Sequence, residues 1–345
     1  MVTILSPDTI TASTLSYYNR KLRDEYFTST PFTEFLLNVG IKPVEGGLSY
    51  TQPIMYTLSS QADVWGGGVQ QLSANFVPNT TNAVWNPVYY YGSVAIPDTT
   101  AILNQGQAQI IDIVEAQYEQ MLMSLIERFS IDCYSDGTPR NGFLVPQGLR
   151  AICTSDADPG GGAYGGITRV GSSGYWGAPV GAAPWWNANI LPINNGPTVV
   201  WSKASVNPGT STTMSYNALF ALTIAATVGM YRPLAIFGDA IAYQAVGNLF
   251  VAIARESALE SVFKQGARGF AFGDIPIFQD DKAPSGSLFT VNDLLELRVW
   301  RNALFAETPW RQPSNAMVNI KYLLLICALV HSRPNTMAYM SGITG

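Results

Sequence analysis

The chain carries little charge. Of its 345 residues only 12% are Asp, Glu, Lys or Arg, about half of the roughly 25% usual in soluble domains. A free monomer ordinarily covers itself with charge to stay dispersed. Lysine and arginine are missing altogether from residues 43 to 127, a stretch that holds Glu45, Asp63, Asp98, Asp112, Glu115, Glu119 and Glu127. The formal net charge of −5 argues against sequence-independent nucleic-acid binding, which needs a concentrated basic surface.

Other absences narrow the chemistry. His331 is the only histidine, so a Ser-His-Asp or Cys-His site would have to use it. It stands beside an apolar run, no nucleophile elbow accompanies it, and a structural role is expected. Cys133, Cys153 and Cys327 are odd in number, far apart and in no C-x-x-C pair, which fits structural thiols in a reducing compartment. No basic segment leading into an apolar stretch opens the chain, so no export signal is read. The longest apolar runs, "LFALTIAATVGM" and "YLLLICALV", fall well short of the roughly 20 residues of a membrane span. A cytosolic origin without membrane contact is expected.

Aromatic residues are abundant, with 8 Trp and 17 Tyr. Tyr and Trp are enriched where surface becomes interface. Low charge with many aromatics fits either a large buried core or a subunit that hides much of its surface in an assembly. A third reading, a secreted Trp/Tyr-rich carbohydrate-binding protein, would want an export signal and a carboxylate pair in a cleft.

Along the chain, the first 40 residues hold a mixed-charge cluster, "NRKLRDEY", and then "TPFTEFLLNVG", read as an extended arm with a short helix. From Ile41 to Pro97 two strand-like segments, "LSYTQPIMYTL" and "AVWNPVYYYGSVAI", flank a Gln/Asn/Ser/Gly-rich middle. A structureless loop of that length inside a compact domain is uncommon, so a projecting hairpin is expected. From Thr100 to Asp132 there is no proline, and Ile110, Val114, Tyr118, Met121, Leu125 and Phe129 recur at helical spacing behind Asp98 and Thr99 as N-caps. Further on, "SYNALFALTIAATVGM" reads as a helix, "RPLAIFGD" as a buried strand, and Asp239 as the cap of a following helix. "FAFGDIPIFQDD", "SLFTV" and "LRVWRNALFAE" read as strands. No regular βαβ repeat emerges, so the class is α+β.

Two clusters invite a ligand. Gly160, Gly162 and Gly165 in "PGGGAYGGITR" satisfy G-x-G-x-x-G, but that motif needs a strand before it and a helix after it. Neither flank supplies one, so the glycines are read as turn-formers. Asp274, Asp280 and Asp281 could gather around a hard cation; without an EF-hand pattern they are read as a solvated turn. No catalytic residue, cofactor or metal site is expected, and no enzymatic activity.

The order of segments, with "QGLRAIC", "AYGGITR" followed by Trp176, "GFAFGDIPIFQDD" and "LLLICALVHSRPNTMAYMSG", resembles the major capsid protein of tailed double-stranded DNA bacteriophages, the Hong Kong 97-like fold. The resemblance spans essentially the whole chain. It implies an N-terminal arm over residues 1 to 41 and an extended β-hairpin loop over 42 to 97. A spine helix of the peripheral domain would cover 98 to 135, an axial domain 136 to 290, and a return as a C-terminal apolar helix-and-strand 291 to 345.

The function it implies is a structural virion protein, assembled in the bacterial cytoplasm as hexamers and pentamers of an icosahedral shell around phage DNA. That DNA would be held by confinement and touched nonspecifically. Partners would be a separate scaffolding protein, a portal and a cement or decoration protein. Arg20, Lys21 and Arg23 of one subunit's arm would meet Asp112, Glu115 and Glu119 on another's spine, with Trp65 and Trp85 also at the assembly interface. An encapsulin-like nanocompartment shares the fold and is the alternative. Beyond Lys42 at its first position the extended loop has no lysine, so no covalent isopeptide cross-link through it is expected.

Overall fold

The computed structural model describes residues 30–39, 41–55, 80–99, 113–153, 163–168, 189–192, 214–251, 270–300, 305–314 and 317–343. Element order is α1 (Pro31–Val39), β1 (Ile41–Pro43), β2 (Tyr50–Met55), β3 (Thr80–Trp85), β4 (Val88–Pro97), α2 (Ile113–Asp132) and α3 (Leu149–Cys153). Next come β5 (Ala163–Tyr164), β6 (Ile167–Thr168), β7 (Asn189–Pro192), α4 (Tyr216–Ala226), β8 (Ala235–Gly238), α5 (Ala240–Val251), β9 (Phe270–Phe272) and β10 (Ile275–Gln279). The chain closes with β11 (Leu288–Val291), β12 (Leu295–Val299), β13 (Ala306–Glu307), β14 (Val318–His331), a 3-10 turn (Pro334–Thr336) and β15 (Ala338–Ser341).

The chain divides into two compact units, one of Met1–Thr28, Tyr91–Glu127 and Glu307–Leu324, the other of Ser29–Tyr90, Arg128–Ala306 and Leu325–Gly345. The larger unit is organised by a sheet in the order β7-β15-β11-β8-β10-β9. All four residues of β8 are buried, because β10 pairs with it on one side, parallel, and β11 on the other, antiparallel. That central place explains why "AIFG" shows no polar alternation. Helices α4 and α5 cover the sheet with a small-residue face, Ala218, Ala221, Leu222, Ala225, Ala242 and Val246, packed with Ile236, Ile277 and Leu288. Ser215 caps α4 by accepting the Ala218 N–H. Asp239 caps α5 as expected, its carboxylate accepting the N–H groups of Ala242 (3.0 Å) and Ile241 (3.3 Å).

The short helix expected in the first 40 residues is α1, and it is a core element. Phe32 and Leu36 are 0% and 1% exposed. Phe32 meets Phe237 edge-on and lies tilted against Tyr134, with ring centroids 5.3 and 5.2 Å apart.

In the smaller unit, Gly92 of β4 lets α2 approach closely: a Cβ there would lie 2.7 Å from Cγ of Met121. Along α2, Met121, Leu125 and Phe129 are buried, which is the apolar face expected from their spacing. Ile110 lies outside the described residues. Asp98, expected as a helix cap, accepts hydrogen bonds from the side-chain amides of Asn319 (2.7 Å) and Gln312 (2.9 Å); the residues it would cap lie outside the described set. Lys321 and Glu307 form an ion pair at 2.7 Å. The Lys321 ammonium lies 4.9 Å from the Tyr118 ring centroid, and the Tyr118 hydroxyl donates to Glu307.

One expectation fails at the C-terminal end. "YLLLICALV" lies within the 14-residue strand β14 and forms no helix. It belongs to a sheet in the order β1-β12-β14-β13, with β4 also paired to β14. Residues Leu323, Leu325 and Cys327 are buried while Leu324 and Ile326 are half-buried, a period of two that an all-apolar run conceals. Tertiary pairing on both sides of β14 decides the outcome.

Candidate functional site

The feature with most bearing on function is the β2–β3 hairpin and the way it is rooted. Tyr50 opposes Trp85 and Met55 opposes Thr80 in an antiparallel register; the residues between them, Trp65 included, lie outside the described set. The expected long strand "AVWNPVYYYGSVAI" is broken at Asn86 and Pro87, so β3 pairs with β2 while β4 pairs with β14.

Trp85 anchors the root. It is only 2% exposed, lies against Tyr50 (centroids 5.9 Å apart) and meets Tyr164 edge-on (5.8 Å). Its indole rests on Gly165, where an added Cβ would come within 2.9 Å of the ring. Gly165 and Gly166 have φ of +57° and +72°, the geometry of a type I′ turn joining two short strands, here β5 and β6. The glycines of "AYGGIT" thus serve as turn-formers; Gly160 and Gly162 lie outside the described residues.

The turn is fixed from several sides. The Gly165 N–H donates to Oε1 of Gln147 (3.0 Å), and the Val84 N–H donates to the Gly165 carbonyl (2.8 Å). Tyr164, fully buried, accepts the His331 N–H on its hydroxyl at 2.7 Å. The His331 ring is 2.8 Å from Oδ1 of Asn292 through Nε2 and accepts the Arg333 N–H on Nδ1 at 3.2 Å. An acceptor at Nδ1 places the proton on Nε2, and the neutral ring satisfies both partners. The only histidine is therefore a structural pivot. On the other side of the root, the Arg298 guanidinium lies 4.4 Å from the Tyr50 ring centroid and pairs with Glu296, which also pairs with Lys42.

Two buried carboxylates support the same unit. Asp132, 2% exposed, accepts the Tyr90 hydroxyl (3.0 Å) and a two-pronged contact from Arg140 (2.9 and 3.1 Å). Burial pushes its carboxyl above the usual range, against the opposing pull of Tyr90 and Arg128. Asp280 is fully buried, which corrects its expected place in a solvated turn. It accepts the Tyr134 hydroxyl (2.9 Å) and the N–H groups of Phe32 (3.2 Å) and Lys282 (2.9 Å). Burial raises its carboxyl despite those donors. Asp281 and Asp274 remain exposed, so the three acids do not converge. Among the described residues no group of three or more His, Cys, Asp or Glu could hold a metal ion. Cys133, Cys153 and Cys327 are buried, and burial raises the Cys133 and Cys327 thiols. Among the described residues no helix is long and apolar enough to cross a membrane.

Of the expected assembly residues, Trp85 is committed to its own chain's core and Glu119 is exposed on α2. Arg20, Lys21, Arg23, Trp65 and Asp112 lie outside the described residues, as does the side chain of Glu115. The sequence reading missed Gln147, Tyr164 and Asp280 as anchors.

No protein-family model matches the sequence, and no curated protein does. Solved structures do match over nearly full length. A subunit of the cyanophage A-1(L) capsid asymmetric unit aligns with a TM-score of 0.67 at 14% identity, covering 99% of this chain and 100% of that one. The SrpI encapsulin from Synechococcus elongatus PCC 7942 aligns at 0.59 and 11% identity, over 99% and 97%. The capsid of a native GTA particle aligns at 0.57 and 12% identity, over 97% and 99%. The chain has the α+β fold of these shell subunits.

Proposed function

We propose that this chain is the subunit of an icosahedral shell enclosing phage DNA, a structural protein without enzymatic activity. The observation that carries the reading is the fold shared with capsid subunits across the full length of both chains. The low charge and the aromatic wealth support it, since both suit surface that is covered by neighbours.

In this reading residues 42–97 form the extended loop, 98–135 the spine helix, 136–290 the axial domain and 291–345 the return to the peripheral domain. The arm, with Arg20, Lys21 and Arg23, meets the acidic spine of another subunit around Asp112, Glu115 and Glu119. Subunits gather as hexamers and pentamers, with a separate scaffolding protein, a portal and a cement or decoration protein as partners. DNA inside is held by confinement.

The purified protein, run on a sizing column and viewed by negative-stain microscopy, should yield closed particles. A stable monomer of about subunit mass under all assembly conditions would sink the reading. The encapsulin fold supports a second reading, a nanocompartment with protein cargo. Absorbance and gel analysis of native particles separate the two by whether they contain DNA or a second protein.

A further inference from the structure

The turn after α4 forms one wall of a cavity. Val228 and Tyr231 exchange backbone hydrogen bonds (3.1 and 3.2 Å) across Gly229 and Met230. Gly229 has a φ of +65°, as the first central residue of a type II′ turn requires. Leu234 is pinned just beyond, its N–H donating to the Val291 carbonyl at 2.8 Å. Arg333 closes another side: its N–H donates to Nδ1 of the buried His331, and its guanidinium lies 5.1 Å from the Tyr231 ring centroid. Asp293 follows Asn292, which bonds the other nitrogen of that ring. All of these residues belong to the larger unit. The cavity measures about 550 Å³, within the roughly 300–1,000 Å³ of ligand pockets.

Its lining combines two chemistries. Met230 is 96% and Leu234 47% exposed, so two large apolar side chains stand open to solvent at one site. Arg232 and Arg333 line the same cavity, are exposed, and take part in no ion pair among the described residues. Against them stands a single acid, Asp293. One net positive charge over an apolar surface suits a ligand with one carboxylate on an apolar body. A nucleic-acid backbone needs a concentrated basic surface and would be repelled by Asp293.

We propose that this cavity binds a short extended peptide segment of a partner protein, one that carries Asp or Glu next to a large apolar residue. Arg232 and Arg333 take the carboxylate through charge-assisted hydrogen bonds, and the apolar neighbour rests on Met230 and Leu234. Tyr231 steadies the Arg333 guanidinium through its ring face. The turn and the buried His331 contacts hold the walls in place, so the site is complete within one subunit and its binding is independent of shell assembly.

Fluorescence anisotropy of the purified protein with dye-labelled Leu-Glu-Phe-amide and Leu-Gln-Phe-amide tests it. The Glu peptide should bind at least about tenfold tighter, as expected when hydrogen bonds to a charged group replace neutral ones. Changing both Arg232→Gln and Arg333→Gln should make the two peptides bind alike. Met230→Ser, at a fully exposed position, should weaken both and keep the preference. Should a variant misfold, the comparison of the two peptides on the parent protein decides alone. Equal binding of the two, no binding of either, or capture of a labelled oligothymidine in their place overturns the proposal. So does a preference for Glu that survives the loss of both arginines.

Discussion

At the scale of single residues, Gly165 carries the strongest constraint. Its left-handed backbone costs a non-glycine residue about 1–2 kcal/mol, and its missing side chain is the floor on which Trp85 rests. Gly165→Ala should lower unfolding free energy by about 2–5 kcal/mol, the strain plus overpacking, measured by urea denaturation. The turn at "YGGI" was legible from its glycines. The burial of Trp85 was not, because a tryptophan in a polar hairpin looks the same whether it faces a neighbour or its own chain.

Tyr118 gives a second residue-level test. The hydrogen bond to Glu307 pushes its phenol up to about 12, while that bond and Lys321 hold Glu307 below the usual carboxylate range. The two shifts work in opposite pH windows. The raised phenol contributes stability fully present below its ordinary value of 10.0, lost as pH climbs through about 12. The lowered carboxyl contributes above its ordinary 4.5, lost as pH falls through its depressed value. Glu307→Gln should bring the Tyr118 transition back toward its ordinary value in an ultraviolet titration compared with the parent; an unchanged transition would mean the contact is not formed in solution.

At the scale of elements, α1 is tied into the core by Phe32 and Phe35, both against Phe237, and by the Asp280 carboxylate. Phe32→Ala should cost about 3–5 kcal/mol, the range for emptying a buried phenylalanine site. Asp280→Ala leaves the Phe32 N–H and Tyr134 hydroxyl without their acceptor and should cost about 1–3 kcal/mol for each group. Denaturant midpoints of the two variants check both figures. The existence of α1 and the apolar face of α2 were legible because amphipathic spacing survives in the sequence. Strand β14 was not, since a run of apolar residues holds no visible period. Asp280 was misread because a carboxylate in "QDD" reveals nothing of the tyrosine and backbone donors that fold around it from residues 134 and 32.

At the scale of the whole molecule, the α+β class was legible, and so was the resemblance, because weak signatures occurred in the right order along the full chain. Which surfaces join was less so, since an interface is a property of two chains. Two outcomes follow from the shell reading. Particles boiled in denaturing detergent should release a single band near 37.3 kDa, because the loop beyond Lys42, which pairs with Glu296 of its own chain, lacks the lysine that a covalent link would need; a ladder of linked subunits would refute this.

The second outcome concerns charge. If the arm's cations meet the acidic spine, their attraction acts between exposed groups and is screened within about 8–10 Å at physiological salt. A variant with Arg20, Lys21 and Arg23 all changed to Ala should then need a higher protein concentration to assemble at low ionic strength. Near 1 M salt, where the screening length falls to about 3 Å, parent and variant should converge. Light scattering across a salt series reads this directly. A deficit that persists undiminished at high salt would assign these side chains a packing role, and no deficit at low salt would remove the arm from the contact.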